Sequence, residues 1–245
     1  MTTCLPETWV MAPLDSLGVW RGGGTPSKGN GAYWKGSIPW VSPKDMKVFR
    51  LKDALDHITE EALNDSAAKL IPENSVLVVT RSGILAHTFP VAINAVPVTV
   101  NQDLKALTPY AGIDAEFVAW VLHAFQREIL DVCSKDGTTV HSIEMPRLQS
   151  FEIPIPPTNE QKRIVEKLEE LFSKIDEGER CLSAIAPIAN SALGLSTLLR
   201  HSILKQAFSG RLVAHDPNDE PAPVMLEKIK TSSQNHNKKN AKEVA

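Results

Sequence analysis

The chain has 245 residues, room for one full domain and a second element or for two small domains. Its 42% hydrophobic and 22% charged residues and its net charge of −3 are those of an ordinary soluble globular protein, and exclude a strongly basic overall composition. "MTTCLPETWV" is no secretory leader, no run approaches a membrane span, and Cys4, Cys133 and Cys181 follow no pairing pattern; a cytoplasmic location is therefore expected.

The first distinctive stretch is residues 18–46, GVWRGGGTPSKGNGAYWKGSIPWVSPKDM. Between residues 18 and 50 stand Arg21, Lys28, Lys35, Lys44, Lys47 and Arg50 against Asp45 alone, and the residues that follow turn acidic. Positive charge is thus local, as an electrostatic footprint requires. The loop does not fit a nucleotide. Gly24 and Gly29 have P-loop spacing, but Asn30 follows where lysine is needed, and no G-x-G-x-x-G can be laid on it. Tyr33, Trp34 and Pro39 argue against a helix starting there, which removes the dipole a bound phosphate would use. Two readings remain, and both can hold in part. Trp34 and Trp40 can anchor a structural loop, while Thr25, Ser27, Ser42 and the basic residues face a polyanion.

Further along, SVLVVT (75–80), FPVAINAVPVTV (89–100) and LKALTP (104–109) predict strands. Residues 114–133 predict one helix capped by Asp114, with Val118, Leu122, Phe125, Ile129 and Val132 on one face. SFEIPIPP (150–157) is a last strand. These elements define an α+β domain over residues 1–157.

The pattern then changes. Residues 158–210 predict a long helix, with Thr158 and Gln161 in capping-box form and Gly210 as the stop. An apolar seam of heptad spacing runs through Leu168, Leu171, Ile175, Leu182, Ile185, Ala189, Ala192, Leu199 and Ile203. About fifty helical residues extend roughly 75 Å, so the helix must leave a small domain and find a coiled-coil partner, expected on another chain. Pro187 should kink it. Residues 211–245 predict one short helix from Pro221 and a partly disordered tail. No catalytic signature is present, and the seven histidines have no metal-ligand spacing, so neither an enzyme nor a metal site is expected.

Taken in order, GGGTPSKGNGAYWKGSIPWVSPKDM, VLVVTRSG, AINAVPVTVNQDLKALTP and DGTTVHSIEMPRLQSFEIPIPPTNEQKRIVEKLEELFSKID resemble the specificity subunit of type I restriction-modification systems, over residues 8–215. That resemblance implies an α/β target recognition domain gripping one half of a bipartite double-stranded DNA site. It also implies a helical spacer, pairing as an antiparallel coiled coil and contacting the modification (methyltransferase) subunits. S-adenosylmethionine, ATP and Mg are then expected on those and on the restriction/translocase subunit, with no cofactor on this chain. Family members carry two recognition domains and two helical regions, whereas this sequence has one of each and so looks like a half-length form that two copies could complete. By position, the resemblance places DNA contacts on Arg21, Thr25, Ser27, Lys28, Lys35, Ser42, Lys44, Asp45, Arg81 and Ser82, and on Thr138, Thr139 and His141. The alternatives are a helical adaptor that does not read DNA and an inactive truncated cassette.

Overall fold

The structure is a computed structural model that describes residues 5–135, 141–183 and 190–243. The chain divides into two compact units, one formed by Ala12–Ile153 and the other by Met1–Met11 together with Pro154–Ala245. The passages between them fall within strands β1 (Val10–Pro13) and β13 (Glu152–Ile155).

Two sheets build the first unit. The larger has the order β2-β10-β7-β8-β4 and is formed by β2 (Gly18–Gly22), β4 (Arg50–Leu51), β7 (Val76–Val79), β8 (Val91–Asn94) and β10 (Leu104–Pro109). Strand β10 pairs antiparallel with β2 and β7, and β4 pairs parallel with β8. Every residue of β7 and β8 is buried, as expected of apolar runs covered on both faces. The second sheet has the order β5-β3-β9-β6, from β3 (Ile38–Val41), β5 (Asp56–Ile58), β6 (Leu70–Ile71) and β9 (Val98–Val100). The short helix α1 (Glu60–Asn64) lies between β5 and β6 in sequence, capped by the Thr59 hydroxyl, which accepts from the Ala62 amide.

The expected helix over 114–133 is two. α2 (Ala115–Ala124) and α3 (Gln126–Cys133) meet at Phe125, whose ring stands edge-on to Phe151. Asp114 caps α2 as expected, its Oδ1 accepting from the Phe117 amide at 2.9 Å. Val118, Leu122 and Ile129 are buried, but the break rotates Val132 off the face and leaves it 54% exposed. The unit closes with β11 (Ser134–Lys135), β12 (Ser142–Ile143) and α4 (Met145–Ser150), and Leu14 N–H donates to Phe151 O at 3.1 Å.

In the second unit the long helix is also divided. α5 (Thr158–Ser183) and α6 (Asn190–Ala207) run antiparallel: Arg200 reaches Asp176 and lies over the Phe172 ring, while Ser196 reaches Glu179. Pro187, where a kink is expected, lies outside the described residues. The seam is therefore met first by the chain folding back on itself, not by a continuous 50-residue rod leaving the globule. The end of α6 is as expected. Gly210 has φ +71°, its N–H donates to Ala207 O, and Arg211 N–H reaches back to Gln206 O, the hydrogen-bond pair of a Schellman stop.

α7 (Ala222–Glu243) buries Ala222, Met225, Leu226 and Ile229, and the Ala222 amide donates to Thr8 O. The helix runs on through residues expected to lack regular structure; residues 224–243 contain neither glycine nor proline to stop it. Near the start of α5, Glu160 is 1% exposed and meets His215 at 2.8 Å, and Arg163 pairs with the buried Asp219 at 2.6 Å.

Candidate nucleic-acid interface

The glycine-rich loop is fastened to its domain by aromatic side chains. Trp40 is buried with Ile58, Ala62 and Ala68, and Tyr33, Trp34 and Ile38 pack against that cluster. Trp34 stands edge-on to Trp40 at 5.0 Å, the Trp40 indole N–H donates to Gly24 O at 2.9 Å, and that of Trp34 donates to Ser27 O at 3.2 Å. The Tyr33 hydroxyl donates to Asp65 at 3.2 Å; partial burial, and then the nearby Asp65 charge, push this phenol above its usual range. At Gly36 a Cβ would lie 2.0 Å from Ile58 O, so glycine is required there by close backbone approach. The tryptophans thus anchor, as expected.

What they leave facing solvent is basic. Ser27, Lys28, Lys35 and Lys44 are exposed. Ser42 and Asp45 are turned inward instead: Asp45 accepts from the Ser42 amide (2.8 Å) and hydroxyl (2.9 Å) and from the Leu55 amide (2.9 Å). They form the turn that presents Lys44, with the Ser42 hydroxyl donating to Asp45. Arg21, half-buried in β2, donates to the Thr108 hydroxyl at 3.2 Å.

Thr25, Arg81, Ser82 and His141, remote in sequence, are gathered around one turn, Asn101-Gln102-Asp103 between β9 and β10. The Thr25 hydroxyl donates to Gln102 Oε1 at 2.5 Å. Arg81 Nε donates to Asp103 Oδ1 at 2.6 Å, with the side chain still 57% exposed. The Ser82 amide donates to the carbonyl of His141, whose side chain is exposed, and Arg81 forms a bridge to Ser142. Thr138 and Thr139 lie outside the described residues. Sequence reasoning singled out no residue of this turn; the signal was there as three polar residues between two apolar runs. Among the described residues no group of His, Cys, Asp and Glu could hold a metal. No helix among them is long and apolar enough to cross a membrane.

A mixed α/β unit presenting exposed cations on an anchored loop, joined to a helical hairpin, is the class of a DNA specificity domain. The chain belongs to that family in its restriction-modification form: the family described as "Type I restriction modification DNA specificity domain" matches residues 6–182. It is similar to the EcoR124I/EcoR124II specificity subunit of Escherichia coli, 45% identical over 169 residues, covering 67% of this chain and 42% of that protein. It is also similar to the MjaIX specificity subunit of Methanocaldococcus jannaschii, 29% identical over 166 residues, covering 65% of this chain and 37% of the relative. The fold is that of the HsdS subunit from Thermoanaerobacter tengcongensis, with a TM-score of 0.57 at 21% identity over 85% of this chain and 47% of that one. The chain therefore spans less than half the length of the relatives it matches.

Proposed function

We propose that this chain is the non-catalytic DNA-reading component of a type I restriction-modification complex, gripping one half of a split double-stranded site. The observation that carries the reading is the loop of residues 22–46: aromatic anchors hold it while Ser27, Lys28, Lys35 and Lys44 stay in solvent, where the three lysines can neutralise phosphates and the Ser27 hydroxyl can donate to them. The helical unit docks the modification subunits, and through them the restriction/translocase subunit. S-adenosylmethionine, ATP and Mg²⁺ act on those partners, not here.

Two copies of the chain complete the assembly. Support comes from the half-length match and from the α5–α6 hairpin. Its seam residues Leu171, Ile175, Leu199 and Ile203, with Leu195, line an apolar groove of about 580 Å³. Leu195, Leu198 and Leu199 are 66%, 68% and 54% exposed, an apolar stripe that a second copy would cover. Leu168 is buried. Leu182 and Ala192 lie on α5 and α6, and Ile185 and Ala189 fall outside the described residues.

The deciding experiment reads adenine methylation in the host's native DNA with and without this chain. Loss of a palindromic split motif on deletion supports the paired half-subunit; an unchanged pattern sinks it. Alanine at both Lys28 and Lys44 separates DNA reading from a purely helical adaptor. It should lower affinity for every duplex and flatten the salt dependence by roughly one unit of log–log slope per lost phosphate contact.

A further inference from the structure

We propose that Gln102 reads an A·T base pair, with Thr25 as the residue that positions it; the inference rests on the DNA-recognition reading above. The turn that carries Gln102 is fixed from both sides. Asn101 N–H donates to Val41 O at 2.9 Å, which ties the turn to the second sheet. Within it, Asp103 N–H donates to Asn101 Oδ1 (3.0 Å), and Asn101 Nδ2 donates to Asp103 Oδ2 (3.1 Å). From the other side, Asp103 O accepts from Thr80 N–H (2.7 Å), the Thr80 hydroxyl (3.0 Å) and Arg81 N–H (3.2 Å), and Arg81 Nε holds its carboxylate. Asn101 and Asp103 spend their side chains inside this network. Gln102, between them, is exposed.

Such a turn cannot yield much when something docks against it, so its one outward side chain is presented in a set place. The orientation of that side chain is fixed too. Thr25, from the basic loop, donates to Oε1 at 2.5 Å and so occupies one of the two lone pairs of that oxygen. Among the described residues the other lone pair and both Nε2 hydrogens have no partner. That remaining set, one acceptor beside one donor, matches the N6–H and N7 edge of adenine in the major groove, the pairing glutamine makes best. Lys28, three residues after Thr25, and the exposed part of Arg81 supply positive charge from the two elements the turn is tied to. A bond serving only to pin the loop would need no exposed carboxamide, because Trp34 and Trp40 already fasten it.

The test uses the complex purified through a tag on this chain, offered a pool of randomised duplexes, with the bound fraction sequenced. Wild type should enrich a split motif containing at least one fixed A·T pair. Q102A should lose preference at one such pair by roughly tenfold, with every other position of the motif unchanged. T25V should weaken preference at that same pair by less. If Q102A selects the wild-type motif, the assignment is overturned, whether or not overall affinity has fallen. If wild type itself enriches no motif, the recognition reading fails first and takes this assignment with it, an outcome distinct from the previous one.

Discussion

Asp219 is 5% exposed yet charged, and Arg163, donating to it at 2.6 Å, holds its carboxyl below the usual carboxylate range. A carboxyl whose folded value is depressed stabilises the fold above its unfolded value of about 3.9, and that contribution is lost as pH falls through the folded value. D219N should therefore cost about 1–2 kcal/mol at pH 7, with the difference from wild type shrinking as pH drops below about 4, read by denaturant unfolding at several pH values. Cys133 behaves oppositely: burial pushes its thiol up to about 11, so in the native protein at pH 8 it should escape iodoacetamide and be labelled only after unfolding, as peptide mapping would show. At this scale the sequence was legible where chemistry is local. Asp114 as a cap and Gly210 as a stop need only their own neighbours. The pairing of Arg81 with Asp103, or of Thr25 with Gln102, needs strands brought together from far along the chain, and no spacing announces it.

Among elements, the glycine loop separates two uses of one residue type. Gly36 faces the Ile58 carbonyl at a distance no side chain tolerates, whereas a Cβ at Gly31 would meet nothing within 4 Å. G36A should destabilise the domain by roughly 1–3 kcal/mol, and G31A should leave its melting temperature within about a degree, measured by thermal unfolding. A loop whose glycines served phosphate approach alone would show no such contrast. The helices teach a related lesson. Heptad spacing showed which face of residues 158–210 is apolar, but not what covers it, since a hairpin and a rod share one pattern. The hydrogen bonds and ion pairs across the hairpin, such as Arg200 with Asp176, became visible only with α5 and α6 side by side.

For the molecule as a whole, the match to less than half of each relative and the exposed stripe on α6 lead to the same expectation. Replacing Leu195, Leu198 and Leu199 together by serine should halve the mass seen by light scattering while leaving the circular dichroism spectrum unchanged; an unaltered mass would move the pairing surface elsewhere. The change from a mixed α/β domain to a helical region was legible near residue 157 because strand alternation gives way to a 3.6-residue period. The membership of residues 1–11 in the helical unit was not, because Pro6, Thr8 and Trp9 carry no periodic signal and find their companions more than 140 residues later.

The hydrogen bond from Leu14 to Phe151 has a kinetic meaning. An unfolded chain would have to close the whole intervening span before Pro6–Met11 could join the helices, at an entropic cost of about 4 kcal/mol. Once Ala12–Ile153 has folded, that bond holds the two exits together and the search is short. The order of events follows from the covalent path: the inserted unit matures first and acts as the clasp by which its host closes around it in sequence, so the joining of Pro6–Met11 to the helices should follow, not precede, the folding of the sheets.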